Sequence, residues 1–180
     1  AEGMFRLSMV SDAVVFLIEI GLCALLYVLL KPVSKTLSLV AAFARLAMTI
    51  LQGINLLNYF LVLLLLGGTG YLAVFTTEQL QTLALLFLNA HETVVLIWGT
   101  AFALHLLISG YLVYQSGYLP RWVGGLLMVA ALCYFIQSFG TLLLPQSKAL
   151  FASIGLLSMV EIALPFWLLI KGVNLEAWKR

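Results

Sequence analysis

The chain has 180 residues, of which 64% are hydrophobic and 9% charged, with a formal net charge of +2. Soluble domains run at roughly 45–50% apolar and about 25% charged, so this composition excludes an ordinary soluble globule and indicates an integral membrane protein. The charge is small and scattered, which points away from a nucleic-acid partner and from a polybasic lipid-binding segment.

A helical span needs about 20 apolar residues, so the expected fold class is an all-α polytopic membrane bundle. It is read as one domain over 1–180 with five spans, or six if an upstream helix is missing. The first span, about 10–30, stops at Lys31-Pro32, because proline cannot continue a helix. The second, about 36–66, is too long for an upright crossing and ends at Gly67-Gly68-Thr69-Gly70. The third, about 89–115, follows interfacial turns over 78–88 and stops at Ser116-Gly117, where glycine can adopt the left-handed capping conformation. Pro120 suits the opening turn of the fourth, about 120–143, and "LPQSK" leads into the fifth, about 149–170. Cys23 and Cys133 fall inside apolar runs without CxxC spacing, which is the pattern of buried free thiols.

Loop charges set the expected orientation. Lys31, Lys35, Arg121, Lys171, Lys179 and Arg180 fall on one side, Arg6 and Lys148 on the other. The first side is therefore expected to be cytoplasmic in a cell membrane, with the mature N-terminus outside and the C-terminus inside. A chain beginning at Ala1 is expected to have lost an upstream signal or helix.

Charged residues inside the spans stand out by depth. At about 1.5 Å per residue, Glu19 lies about 16 Å from Leu30, Arg45 about 14 Å from Thr36, His105 about 15 Å from Gln115 and Glu161 about 15 Å from Lys171. Four helices thus each place one such residue near the bilayer midplane. A central charge opposes insertion by roughly 2.5–3.5 kcal/mol, so these side chains are expected to face the bundle interior and pair. The short connection between the first two spans makes Glu19 and Arg45 the expected pair. One arginine cannot balance two glutamates, so a proton, charged His105 or an external cation must complete the set.

The polar residues also form stripes. Arg45, Met48, Gln52, Asn55 and Tyr59 recur on one face of the second span. His91, Trp98, His105 and Ser109 do so on the third, Tyr134, Gln137 and Thr141 lie on the fourth, and Asp12 lies one stripe up from Glu19. The expected site is a polar cavity open to the outside, formed by Glu19, Arg45, His105, Glu161, Gln52, Asn55, Tyr134 and Gln137, with Asp12, His91 and Glu92 at its outer end. Its ligand would be a small polar or amphiphilic molecule, or a proton. His91 and Glu92 also fit an interfacial pair touching headgroups, and Gly124, Gly125 and Gly155 are expected to allow close helix contact.

No nucleotide, zinc or hydrolase motif is present, and no cofactor is expected. Three rivals to a binding protein stay open: an accessory or scaffold subunit whose ion pairs only lock helices, an enzyme using Glu19 or Glu161 as base, and a haem-binding homodimer. The haem idea rests on the spacing of His91 and His105, about 21 Å by helical rise. Besides the lipid bilayer, a homo-oligomer or a partner membrane protein is possible.

Three stretches carry a resemblance: "FARLAMTI", "HLLISGYLVYQSGYLPRWVGGLLMVAALCYFIQSFG" and "EIALPFWLLIKGV". Together they resemble the bacterial membrane proteins grouped as domain-of-unknown-function family DUF4386, over most of the chain and most closely over 104–140. The resemblance implies a six-helix membrane protein, from which this chain differs by lacking the usual first helix. It brings no activity.

Overall fold

A computed structural model describes residues 2–67 and 70–179, apart from the side chains of Glu2 and Tyr71. Ala1 and Arg180, and Gly68 and Thr69 of the expected helix-breaking loop, lie outside the described residues. Helices α1 (Glu2–Leu30), α2 (Lys35–Leu66), α3 (Thr77–Gln115) and α4 (Arg121–Leu143) follow in order. The last span is α5 (Lys148–Leu156), a tightened 3-10 stretch (Leu157–Ile162) and α6 (Ala163–Ile170), after which a single turn, α7, covers Leu175–Trp178. Five segments are long and apolar enough to cross a membrane, and no strand occurs among the described residues. The protein is an all-α membrane bundle.

Three boundaries depart from the sequence reading. Helix α1 begins at Glu2 rather than near Val10, because Arg6 and Ser8 lower the hydropathy without breaking the helix. The Ser8 hydroxyl simply bonds back to the Phe5 carbonyl at 2.8 Å. Helix α3 absorbs the expected interfacial turns, starting where Thr76 and Gln79 form a reciprocal capping box. The fifth span is interrupted because Pro165 has no N–H for the Glu161 carbonyl and its ring crowds that group. The turns before it tighten to 3-10, with the Ala163 N–H reaching the Val160 carbonyl.

At the opposite end of α3, Gly117 takes φ +69°, the left-handed conformation that its missing Cβ permits. Ser34 caps α2 by accepting from the Leu37 N–H, and the Ser38 hydroxyl donates to the Tyr27 carbonyl at 2.9 Å, tying α2 to the end of α1.

Helices α2, α3 and α4 form the centre, with α1 against α2 and the last span against α4. Close approach of α3 and α4 depends on paired glycines: a Cβ on Gly124 would lie 2.5 Å from the Gly110 carbonyl oxygen and 2.6 Å from the Tyr114 nitrogen. A Cβ on Gly155 would overlap the Gln137 amide, whereas one on Gly125 meets nothing within 4 Å, so Gly125 does not serve helix contact as expected. The core runs through Met48, Phe102, Leu106, Leu112, Val113, Val123 and Leu127, closer to one end of the bundle. We call this the basic end, since Lys31, Lys35, Arg121 and Lys171 border it.

A polar clasp closes the basic end. Pro32 and the turn at 31–33 leave the Leu29 carbonyl outside the α1 ladder, and two side chains donate to it instead: the Tyr118 hydroxyl at 2.6 Å and the Trp178 indole N–H at 3.0 Å. Burial pushes the Tyr118 phenol up to about 12, so it keeps its proton to donate.

Candidate functional site

Glu19 on α1 and Arg45 on α2 meet at 2.6 Å, between side chains that keep 16% and 10% of their exposure. The expected pair is therefore present and almost wholly withdrawn from the bundle surface. Arg45 also reaches α3, where Nη1 lies 3.1 Å from His105 Nε2, and its guanidinium sits over the Phe102 ring at 5.5 Å from the centroid. His105 Nδ1 lies 2.9 Å from the Ala41 carbonyl oxygen. A carbonyl can only accept, so Nδ1 carries the proton and Nε2 accepts from Arg45. This fixes a neutral imidazole, and a charged His105 does not balance the layer.

Glu161 arrives from the other side. It sits in the 3-10 stretch just before Pro165, and its Oε1 accepts from the Tyr134 hydroxyl of α4 at 3.2 Å. Its Oε2 is buried without a hydrogen-bond partner, and so is Arg45 Nε. Glu19, Arg45, His105 and Glu161 all line one hollow of about 260 Å³. The four residues that sequence depth placed in one layer thus share one hollow.

The hollow runs in the direction opposite to the expected one. Beyond the charged layer its walls are Leu22 and Leu26 of α1, Leu106 and Ser109 of α3, Leu127 of α4, and Leu164 and Leu168 of α6, all toward the basic end. It occupies the gap between α1 and α6, which stand on either side without packing along their length. Ile162 and Pro165 at its rim are exposed on the flank of the bundle. The opening is sideways.

The polar stripe toward the other end lines a second, smaller hollow of about 200 Å³ with Asp12, Gln52, Asn55, His91 and Trp98. Asn55 donates to the His91 carbonyl at 3.2 Å, and Tyr59 stacks on the His91 ring at 4.1 Å. The one outward-opening cavity is replaced by two because aromatic residues intervene. Trp98 lines the second hollow, Phe102 lines the first, and their ring centroids are 5.4 Å apart. Periodicity marks a face of a helix, but it does not reveal when a large side chain on that face divides the space.

Two further candidates lie elsewhere. Gln137 packs against Gly155 and lines neither hollow. Glu92 is exposed and forms an ion pair with Lys148 at 2.8 Å, the surface role that the sequence allowed. A haem does not fit this donor set. Both nitrogens of His105 are engaged, and the His91 ring is covered by Tyr59. Among the described residues, no group of three or more His, Cys, Asp or Glu is placed to hold a metal ion. Cys23 and Cys133 are both buried free thiols. The sequence reading missed Phe102 and the leucines of the cleft wall, for apolar residues in an apolar span carry no distinguishing signal.

Comparison with known proteins bears on this arrangement. The model of the family described as Domain of unknown function (DUF4386) matches residues 1–172. The chain belongs to the DUF4386 family. An uncharacterised protein of Archaeoglobus fulgidus is similar to this DUF4386 chain, with 28% identity over 170 residues that cover 94% of this chain and 86% of the relative. That relative is archaeal, so family membership does not carry the bacterial origin that the resemblance suggested. No solved structure matches this DUF4386 protein.

Proposed function

We propose that this protein binds a small single-chain amphiphile in the sideways cleft, its polar head at the Glu19–Arg45–His105–Glu161 layer and its chain along the leucines toward the basic end. Following the loop charges, that end faces the cytoplasm of a cell membrane and the N-terminus lies outside.

One observation carries the reading. Glu161 Oε2 and Arg45 Nε are buried without hydrogen-bond partners, and both residues line the same hollow. An unmade hydrogen bond of a buried polar group costs about 1–3 kcal/mol, more for charged groups, so a partner supplied by a ligand head would recover that cost. A hollow of about 260 Å³, just below the roughly 300–1,000 Å³ typical of ligand sites, suits a small molecule. Its largely leucine wall suits a hydrocarbon chain, and the sideways opening gives access from the bilayer. The paired Glu19, Arg45 and His105 also lock α1, α2 and α3 together. Glu161 stands outside that lock, which favours binding over packing alone.

Thermal unfolding of the purified chain in detergent, with a panel of single-chain amphiphiles, tests the proposal. The fitting members should raise the unfolding temperature of wild type. Leu22→Trp and Leu168→Trp, which fill the cleft from half-buried wall positions, should fold and lose that response. A panel without effect on wild type, or a response unchanged in both variants, would overturn it.

A further inference from the structure

The charge ledger of the layer leads from an amphiphile to a particular head group. Among the described residues, Arg45 is the one cation lining the hollow, and it is committed to Glu19 at 2.6 Å and to His105 Nε2 at 3.1 Å. His105 faces Arg45 with its lone pair and Ala41 with its N–H, so it contributes no charge. Glu161 faces the same space with a tyrosine hydroxyl as its hydrogen-bond partner, and among the described residues no cation forms an ion pair with it. The unoccupied polar atom on that side is a carboxylate oxygen. With both carboxylates ionised, they outnumber the one guanidinium, and in a low-dielectric setting an added positive charge is favoured and stabilises that ionised form, whereas an added negative one is opposed.

Resting on the amphiphile reading above, we propose that the cleft selects a cationic amphiphile, a primary amine on a single hydrocarbon chain, whose ammonium group donates to Glu161. An ammonium has three donors and no acceptor. One donor meets Glu161 Oε2, and the others can reach water or the remaining carboxylate oxygens of the layer. A metal ion would suit the site poorly, since hard cations take six or more oxygen ligands, and the walls beyond the layer offer leucine, isoleucine and proline with the single hydroxyl of Ser109. A fatty acid would bring a second anion beside Glu161, with the Arg45 Nε as an unpartnered buried nitrogen donor.

The test compares dodecylamine, dodecanol and dodecanoate, which share a chain and differ in head charge. Binding to the full chain in nanodiscs of neutral phospholipid is measured by native mass spectrometry for wild type, Glu161→Gln and Glu92→Gln. Wild type should prefer the amine over the alcohol by about tenfold or more in apparent Kd, with the carboxylate weakest. Glu161→Gln, which keeps shape and loses charge, should bring the amine down to the level of the alcohol. Glu92→Gln removes an exposed carboxylate paired with Lys148 and should leave the preference intact, separating the site from general attraction of cations to the protein. Equal binding of all three compounds, or a preference for dodecanoate, would overturn the cationic head while leaving the amphiphile reading in place. Binding of none of them would remove both. Because the ranking of the three compounds is read on wild type, the outcome does not depend on a variant that folds poorly.

Discussion

Removing both partners of the Glu19–Arg45 pair should cost clearly less than the sum of removing each alone. At 2.6 Å and an effective dielectric of about 20, the Coulomb attraction is roughly 6 kcal/mol, against which stands the desolvation of both ions. The net worth of the pair is therefore small, while either orphaned charge is expensive. Arg45→Met leaves the Glu19 carboxylate buried without its ion-pair partner and takes the donor away from His105 Nε2. We expect a loss of about 3–5 kcal/mol, with a similar loss for Glu19→Gln, since each abandons a charge in the interior. The double variant, Glu19→Gln with Arg45→Met, should fall short of the sum by at least about 2 kcal/mol, within the coupling known for contacting residues. Reversible unfolding in mixed micelles, followed by far-UV circular dichroism, gives all three values. Additive losses, or a cost below about 1 kcal/mol for either single variant, would refute a coupled buried pair.

Other consequences are equally direct. Gly124→Ala would drive a methyl group into the Gly110 carbonyl and the Tyr114 backbone, whereas Gly125→Ala meets open space. The first should therefore lose about 1–3 kcal/mol and the second should gain a few tenths to about 1 kcal/mol from helix propensity, as read by melting temperature. At the basic end, Tyr118→Phe and Trp178→Phe each remove one of two donors to the Leu29 carbonyl. Each should cost about 0.5–1.5 kcal/mol, and the double variant should cost more than the sum because the carbonyl is then left unpaired. Glu92→Gln breaks an exposed pair with Lys148 and should change the unfolding free energy by less than about 1 kcal/mol. Pro165→Ala should restore regular helix through Leu157–Ile162, visible as slower amide exchange there.

Much of the site was legible because charge inside a membrane span is costly and therefore informative. Glu19, Arg45, His105 and Glu161 could be placed at one depth from helical rise alone, and the short turn at Pro32 made the first two neighbours. Helix ends at Leu30, Leu66 and Gln115 were equally readable, since proline and glycine act locally on the backbone. Local signals failed where polar residues lower the hydropathy of a helix without ending it, as before Val10 and before Asn89.

The sequence by itself determined the class of protein, the family resemblance and the depth of its charged layer, since these follow from composition and from periods along one chain. Only the tertiary structure decided which way the cavity runs. That depends on Phe102 and Trp98 meeting across one side of the layer and on α1 and α6 standing apart on the other. The tautomer of His105 was also a tertiary outcome, set by the Ala41 carbonyl, as was the commitment of Arg45 to Glu19. Packing between helices that are distant in sequence leaves no period to read, because every wall of such a cleft is built from the same apolar residues that face lipid.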